Sequence, residues 1–336
     1  MFVRKKMVRL ATLAVVCLSS STVTFAGQIT VFDPPGSIGT LPAVINDSGQ
    51  IAGYYQANGS TYLGFLRNTD GSFVTFSPPT AVFTQPTAIT SQGTIIGQWE
   101  ASFNYNFLGF VRDPAGNISV FAIPGAAVTQ PLAINSANTI VGAYDVTGQQ
   151  LQAFLRQPDG QIDYIVVPGS TSNVALSINA TGQVLGYYND SSGATHIFIR
   201  DAAGNYTTFD GPDGPNTVPI AINDSGVVLG HGFIRDASGK FTTFSAPNAG
   251  TTGNGGTYPF SLNDAGAICG SYVNSDNSVG SFLRSADGSY GEFVAPGSGL
   301  QNYQHGTRAY SLNIENSVTG TVVGNDGVFH GFLAVP

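Results

Sequence analysis

The sequence is short of the residues that usually carry charge or chemistry. Glutamate occurs three times, at Glu100, Glu292 and Glu315, tryptophan once, at Trp99, and cysteine twice, at Cys17 and Cys269. Lysine is confined to Lys5, Lys6 and Lys240. Scarce Glu and Lys remove two good helix formers, and the plentiful Gly, Asn, Ser, Thr and Asp describe strands and turns instead. So few basic groups exclude nucleic acid as a partner, because phosphates need clustered Lys and Arg. Adhesion to an anionic membrane surface is excluded for the same reason. No segment beyond the N-terminus has the continuous apolar run of a membrane span. Gly-x-Ser-x-Gly, His-Glu-x-x-His, Cys-x-x-Cys and phosphate-loop patterns are all missing. No metal or cofactor is expected.

What is present begins with an export signal. Arg4, Lys5, Lys6 and Arg9 form a basic start, residues 10–18 a short apolar stretch, and Thr24 and Ala26 the small residues before a cleavage site. Residues 1–26 therefore read as a signal peptide. Val16 before Cys17 is not the small residue of a lipoprotein signal. The expectation is a monomer of residues 27–336, secreted, periplasmic or at the cell surface, with no membrane insertion after cleavage. It keeps eight basic and twenty acidic residues, a net charge of about −12. Cys269 is then alone, and no internal disulfide can form.

A repeat dominates this domain. Val44-Ile45-Asn46 returns as Ala88-Ile89-Thr90, Ala133-Ile134-Asn135, Ser177-Ile178-Asn179, Ala221-Ile222-Asn223, Ser261-Leu262-Asn263 and Ser311-Leu312-Asn313. A second landmark, Gly64-Phe65-Leu66-Arg67, also occurs seven times and ends as Gly331-Phe332-Leu333-Ala334. Each unit reads as four short strands, in the first near 42–45, 50–55, 62–67 and 72–76. Tight turns follow the first and third strands. The first turn ends on Gly49, Gly93, Asn138, Gly182, Gly226, Gly266 or Asn316, residues that tolerate a positive φ. The spacing predicts an all-β, seven-bladed β-propeller of four-stranded blades. The last unit lacks a fourth strand, and Ile29-Thr30-Val31-Phe32 supplies one. That pairing closes the ring and covers both edges.

Two stretches, Ile222-Asn223-Asp224-Ser225-Gly226-Val227-Val228-Leu229-Gly230 and His330-Gly331-Phe332-Leu333, resemble the two halves of the HAF-type bacterial extracellular repeat. The His-Ala-Phe triplet that names the family is His330-Gly331-Phe332, His231-Gly232-Phe233 or His196-Ile197-Phe198 here, and four units lack the histidine. The resemblance implies export and a repeat fold, and it transfers no catalytic residue.

In a four-stranded meander the turns after strands one and three share one face, and the loops after strands two and four share the other. The first face holds uniform Asn/Asp/Gly turns; the second holds the variable segments 101–107, 248–258, 274–280 and 297–308. Varied loops at one end of a ring commonly carry the site. The candidates are Trp99, Phe103 and Tyr105 in one segment and Tyr303, His305 and Arg308 in another. They either grip a glycan or peptide or pack over the blade ends. The recurring arginines, from Arg67 to Arg284, read as structural. His196, His231 and His330 lie on separate blades, too far apart to share a metal. Residues 274–278 faintly resemble a calcium loop, but Ser285 stands where its bidentate Glu belongs. The expectation is a binding scaffold for a glycan, peptide or surface protein. A polysaccharide hydrolase or lyase and a purely structural surface protein are the alternatives.

Overall fold

The computed structural model describes residues 23–24, 27–103, 106–145, 150–251, 255–299 and 304–336. The signal-peptide reading thus falls almost wholly outside the described residues. Among the described residues twenty-eight strands form seven antiparallel four-stranded units, the first two joined by one parallel pairing of Tyr62 with Phe83, and the two-residue strand Val23–Thr24 pairs in parallel with Tyr290–Phe293. The first unit comprises Thr40–Ile45, Ile51–Asn58, Thr61–Arg67 and Phe73–Phe76.

Three columns of the repeat explain why each unit folds alike. A Pro or Ala of strand one faces a Gly of strand two, which faces a Phe of strand three. Pro42, Gly53 and Phe65 are one such row, and Ala309, Gly320 and Phe332 are another. The seven phenylalanines, Phe65, Phe110, Phe154, Phe198, Phe233, Phe282 and Phe332, are fully buried. Each such side chain contributes roughly 1.5–3 kcal/mol. The glycine is required by close approach: a Cβ on Gly142 would lie 2.0 Å from the Gln130 carbonyl oxygen. Directly after the Pro or Ala, every first strand carries a β-bulge, as at Pro42/Val44, Pro131/Ala133 and Ala309/Ser311. Proline suits that position because it has no N–H to place in the ladder.

The first strands are innermost, each touching the first strands of both neighbours, and that of unit seven, Gly306–Leu312, touches that of unit one. Asparagines at the strand ends stitch them together. The Asn46 Oδ1 accepts the Gln50 N–H at 2.8 Å, which closes its own turn. Its Nδ2 donates to the Thr90 carbonyl of the next unit at 2.9 Å. Asn135, Asn179, Asn223, Asn263 and Asn313 repeat the inter-unit bond, and Asn313 reaches the Asn46 carbonyl at 3.3 Å. Thr90 accepts the Thr94 N–H but has no amide to donate. The seven turn positions anticipated to have positive φ lie between 61° and 90°.

Arginines tie the outer strands. Arg112 lies over the Phe76 ring of the preceding unit at 5.1 Å, and Arg156 over Phe121 at 4.8 Å. The structural reading of these arginines thus gains a partner that the sequence did not name. Gln28–Phe32 pairs antiparallel with Phe329–Val335, and Arg67 lies over Phe32 at 5.0 Å. The N-terminal strand therefore stands where the other units have their fourth.

Candidate functional site

The tight-turn end and the loop end both present cavities, and their chemistry differs. At the tight-turn end, residues from all seven units line an axial cavity of about 330 Å³, with the carboxylates of Asp47, Asp224 and Asp264 on its wall. Each carboxylate already serves the neighbouring turn. Asp47 accepts the Ile314 N–H at 3.0 Å, Asp224 that of Ala180 at 2.7 Å, and Asp264 that of Asp224 at 2.8 Å. Burial, with the charges of Asp224 and Asp47 added, holds Asp264 above the usual carboxylate range.

At the loop end two adjoining pockets of about 470 and 480 Å³ share Gly327 and Phe329, on the unit-seven hairpin. Gln304, His305, Arg308 and Tyr310 line the first; Tyr54, Gln56, Tyr62 and Phe83 lie in the second. Neither lining includes an Asp or Glu. Tyr310 occupies the bulge of its strand, where the extra residue re-aims its side chain. Tyr62 is held by its N–H to the Val82 carbonyl at 2.9 Å, at the junction of units one and two. Its ring meets Phe83 at 5.5 Å and Tyr54 at 6.2 Å. Burial raises the Tyr54 phenol, and the nearby Tyr310 and Tyr62 phenols add to the effect. Tyr54 therefore stays a neutral hydroxyl on the wall of the second pocket. Phe260 of unit six meets Tyr310 edge-on at 5.4 Å.

The anticipated residues are distributed unequally over this groove. His305 and Arg308 line it together. Phe103 is 53% exposed and touches the Tyr62 ring edge-on at 6.5 Å. Trp99 requires a correction: it belongs to no loop but to the strand Ile95–Glu100, and it is buried in one cluster with Ile95, Phe76 and Phe110. Strand alternation puts Trp99 on the inward face of Ile95. Tyr105 and Tyr303 lie outside the described residues. Tyr54, Tyr62, Phe83, Tyr310 and Phe329 were not anticipated. A column-by-column comparison holds a signal for Tyr310: the bulge residue is Ala43, Thr87, Leu132, Leu176 or Ile220 in five units and aromatic only at Phe260 and Tyr310.

The histidines stand apart. His196 Nδ1 bonds Asp210 at 2.6 Å with Asp190 on its other side, while His330 Nδ1 bonds Asp33 at 2.7 Å. Among the described residues no group of three or more His, Cys, Asp or Glu is arranged to hold a metal. Residues 274–278 form a turn in which Asp276 accepts the Ser278 N–H at 2.9 Å.

No protein-family model matches the sequence, and no curated protein matches it. Solved structures do. The β-propeller domain of the Trilobed protease from Pyrococcus furiosus has a TM-score of 0.58 at 11% identity, over 88% of this chain and 95% of that one. Puromycin hydrolase has a TM-score of 0.55 at 12% identity, over 87% of this chain and 52% of its own, so the chain spans about half the length of that enzyme. The Dos1 propeller has a TM-score of 0.50 at 12% identity, over 84% and 75%. At such identities the likeness is one of fold, and it agrees with the four-stranded units: the chain is a β-propeller.

Proposed function

We propose that the chain is an exported, monomeric binding module, a closed seven-bladed ring of HAF-type repeats that holds a glycan or peptide in its loop-end groove. Closure is supported by the strand contacts and the Asn313–Asn46 bond between units seven and one. The observation that carries the binding role is the groove itself. Aromatic rings, tyrosine hydroxyls, two amides and Arg308 gather there, on the end where the units differ. Such a mixture of apolar faces and oriented polar groups is what ligand sites use. Hydrolysis of a glycoside needs two carboxylates at a set separation, and none lines the groove, so binding is the better reading. The similar propellers include a domain of a protease, which fits a propeller serving as a scaffold.

The test is a glycan and peptide array probed with residues 27–336 and with a Phe103→Ala/Phe329→Ala double variant. Specific hits that disappear in a variant of unchanged thermal stability are the expected result. Hits that survive in that variant remove the groove as the site.

A further inference from the structure

We propose that the groove takes an acidic oligosaccharide, one whose sugar units carry carboxylates. This rests on the binding reading above and names its ligand class. The first support is the placement of charge. Six of the seven described arginines end third strands next to the tight turns, where each guanidinium donates to the following carbonyl, as Arg67 does to Asn68 and Arg112 to Asp113. Arg308 is the exception: it lies on the first strand of unit seven and lines the loop-end groove beside His305. The chain has a formal net charge of −8, yet the groove lining carries no carboxylate, while the axial cavity at the opposite end carries three. A basic pocket on an acidic molecule selects an anion.

Arg308 is also carried by a strand, which fixes its backbone. Its Nη1 lies 3.4 Å from the Gln304 carbonyl, and its strand partner is the buried Thr321. A guanidinium fork matches a carboxylate through two parallel bonds, which an ammonium cannot reproduce.

The second support is what surrounds the cation. Phe329 is 39% exposed between the two pockets, a ring on which the C–H face of a sugar can stack. The Tyr54 and Tyr62 hydroxyls and the Gln56 amide stand beyond it, donors and acceptors for sugar hydroxyls. Two joined pockets suit a chain of several units. A peptide captured by strand addition would need an open sheet edge. Tyr54 sits instead on Ile51–Asn58, which is paired on both sides.

The experiment is calorimetric titration of residues 27–336 with short oligogalacturonates, their methyl esters, neutral cello-oligosaccharides and polyglutamate. Arg308→Gln, Arg308→Lys and Phe329→Ala are compared, each checked by thermal melting. Oligogalacturonate should bind, and esterification should weaken it about tenfold or more, the scale of a lost charged hydrogen bond. Arg308→Gln should weaken it by as much, Arg308→Lys should not restore it, and the preference for acid over ester should vanish in both. Equal binding of acid and ester, or of neutral oligosaccharides, overturns the acidic ligand and leaves the groove as a glycan site. Preferential binding of polyglutamate overturns the sugar and leaves a peptide site. If no probe binds the folded chain, the ligand class is wrong, and the array experiment alone decides the broader reading. Should Arg308→Gln fail to fold, acid against ester on the parent chain still decides.

Discussion

At the tight-turn end, six asparagines repeat one hydrogen bond around the axis, and the turns behind them repeat one backbone conformation. At the loop end, unit seven offers Arg308 and Phe329, unit one offers Tyr54 and Tyr62, and unit five has only the short link His231-Gly232 between strands. The difference follows from where the units touch. First strands meet along the axis, so a residue near the turn holds two units at once. The loops between strands two and three also reach the next unit, as where the Phe107 carbonyl accepts the Thr129 N–H at 2.7 Å, but they do so through backbone atoms, which leaves their side chains free to differ. Stability should therefore concentrate in the shared columns, and recognition is free to evolve at the other end.

The sharpest break of this comparison is in the glycine column. Gly142 is paired with Pro131 on one side and Phe154 on the other, so its backbone cannot retreat. Gly142→Ala should cost about 3 kcal/mol, the upper range for overpacking. Gly125→Ala is the control: its φ is +78° but nothing lies within 4 Å of the added carbon, so only conformational strain of about 1 kcal/mol remains. Denaturant midpoints measure both. Equal costs would show that close approach does not explain the column.

Next comes the asparagine ladder. Asn313→Ala removes the donor to the Asn46 carbonyl and the acceptor of the Ser317 N–H, both buried, and should cost about 2 kcal/mol. Thr90→Asn is the converse. It offers an amide to the Asn135 carbonyl, across the step where Thr90 has none to give, and should stabilise by about 1 kcal/mol. A Thr90→Asn variant less stable than the parent would mean that the ladder is a consequence of packing and not a contributor to it.

These columns were legible because they recur. An Ile-Asn strand end and a Phe-x-Arg landmark announce themselves when each appears several times, and the N-terminal Ile29-Thr30-Val31-Phe32 could be matched to a vacant fourth-strand position. The positive-φ residues were legible for the same reason. The proline column was equally visible in Pro42, Pro86, Pro131, Pro219 and Pro259, but its meaning was not, since a bulge is a property of pairing and not of one strand. The groove was the least legible. Its residues run from Ile38 to Phe329 and meet only because the last unit packs on the first. Trp99 was misplaced by grouping it with the loop aromatics that follow it; continuing the inward alternation from Ile95 buries it.

A smaller effect separates two histidines of the same column. Hydrogen bonding to Asp210 first, and to Asp190 as well, raises His196 above its ordinary 6.5, while burial lowers His231. The folded state thus holds the His196 proton more tightly than the unfolded chain. That contribution is complete below about pH 6.5 and is lost as pH rises through the folded value. His231 acts oppositely, its contribution fading as pH falls below 6.5. The difference in stability between the parent and His196→Gln isolates the first term. It should shrink from about pH 6 to about pH 8, and a constant difference would mean that the Asp190 and Asp210 contacts do not persist in solution.

The smallest expected change in stability is also the one that tests the division of labour most directly. Phe103 is more than half exposed and touches the groove through the edge of Tyr62. Among the described residues no inter-unit hydrogen bond, bulge or glycine contact depends on it, so Phe103→Ala should move the unfolding free energy by no more than about 0.5 kcal/mol. Its effect belongs in binding, where losing an aromatic ring beside the groove should weaken any ligand that reaches Tyr62. A large loss of stability with intact binding would reverse the comparison: the loop aromatics would then be a cap on the blade ends, and the varied end would be part of the scaffold.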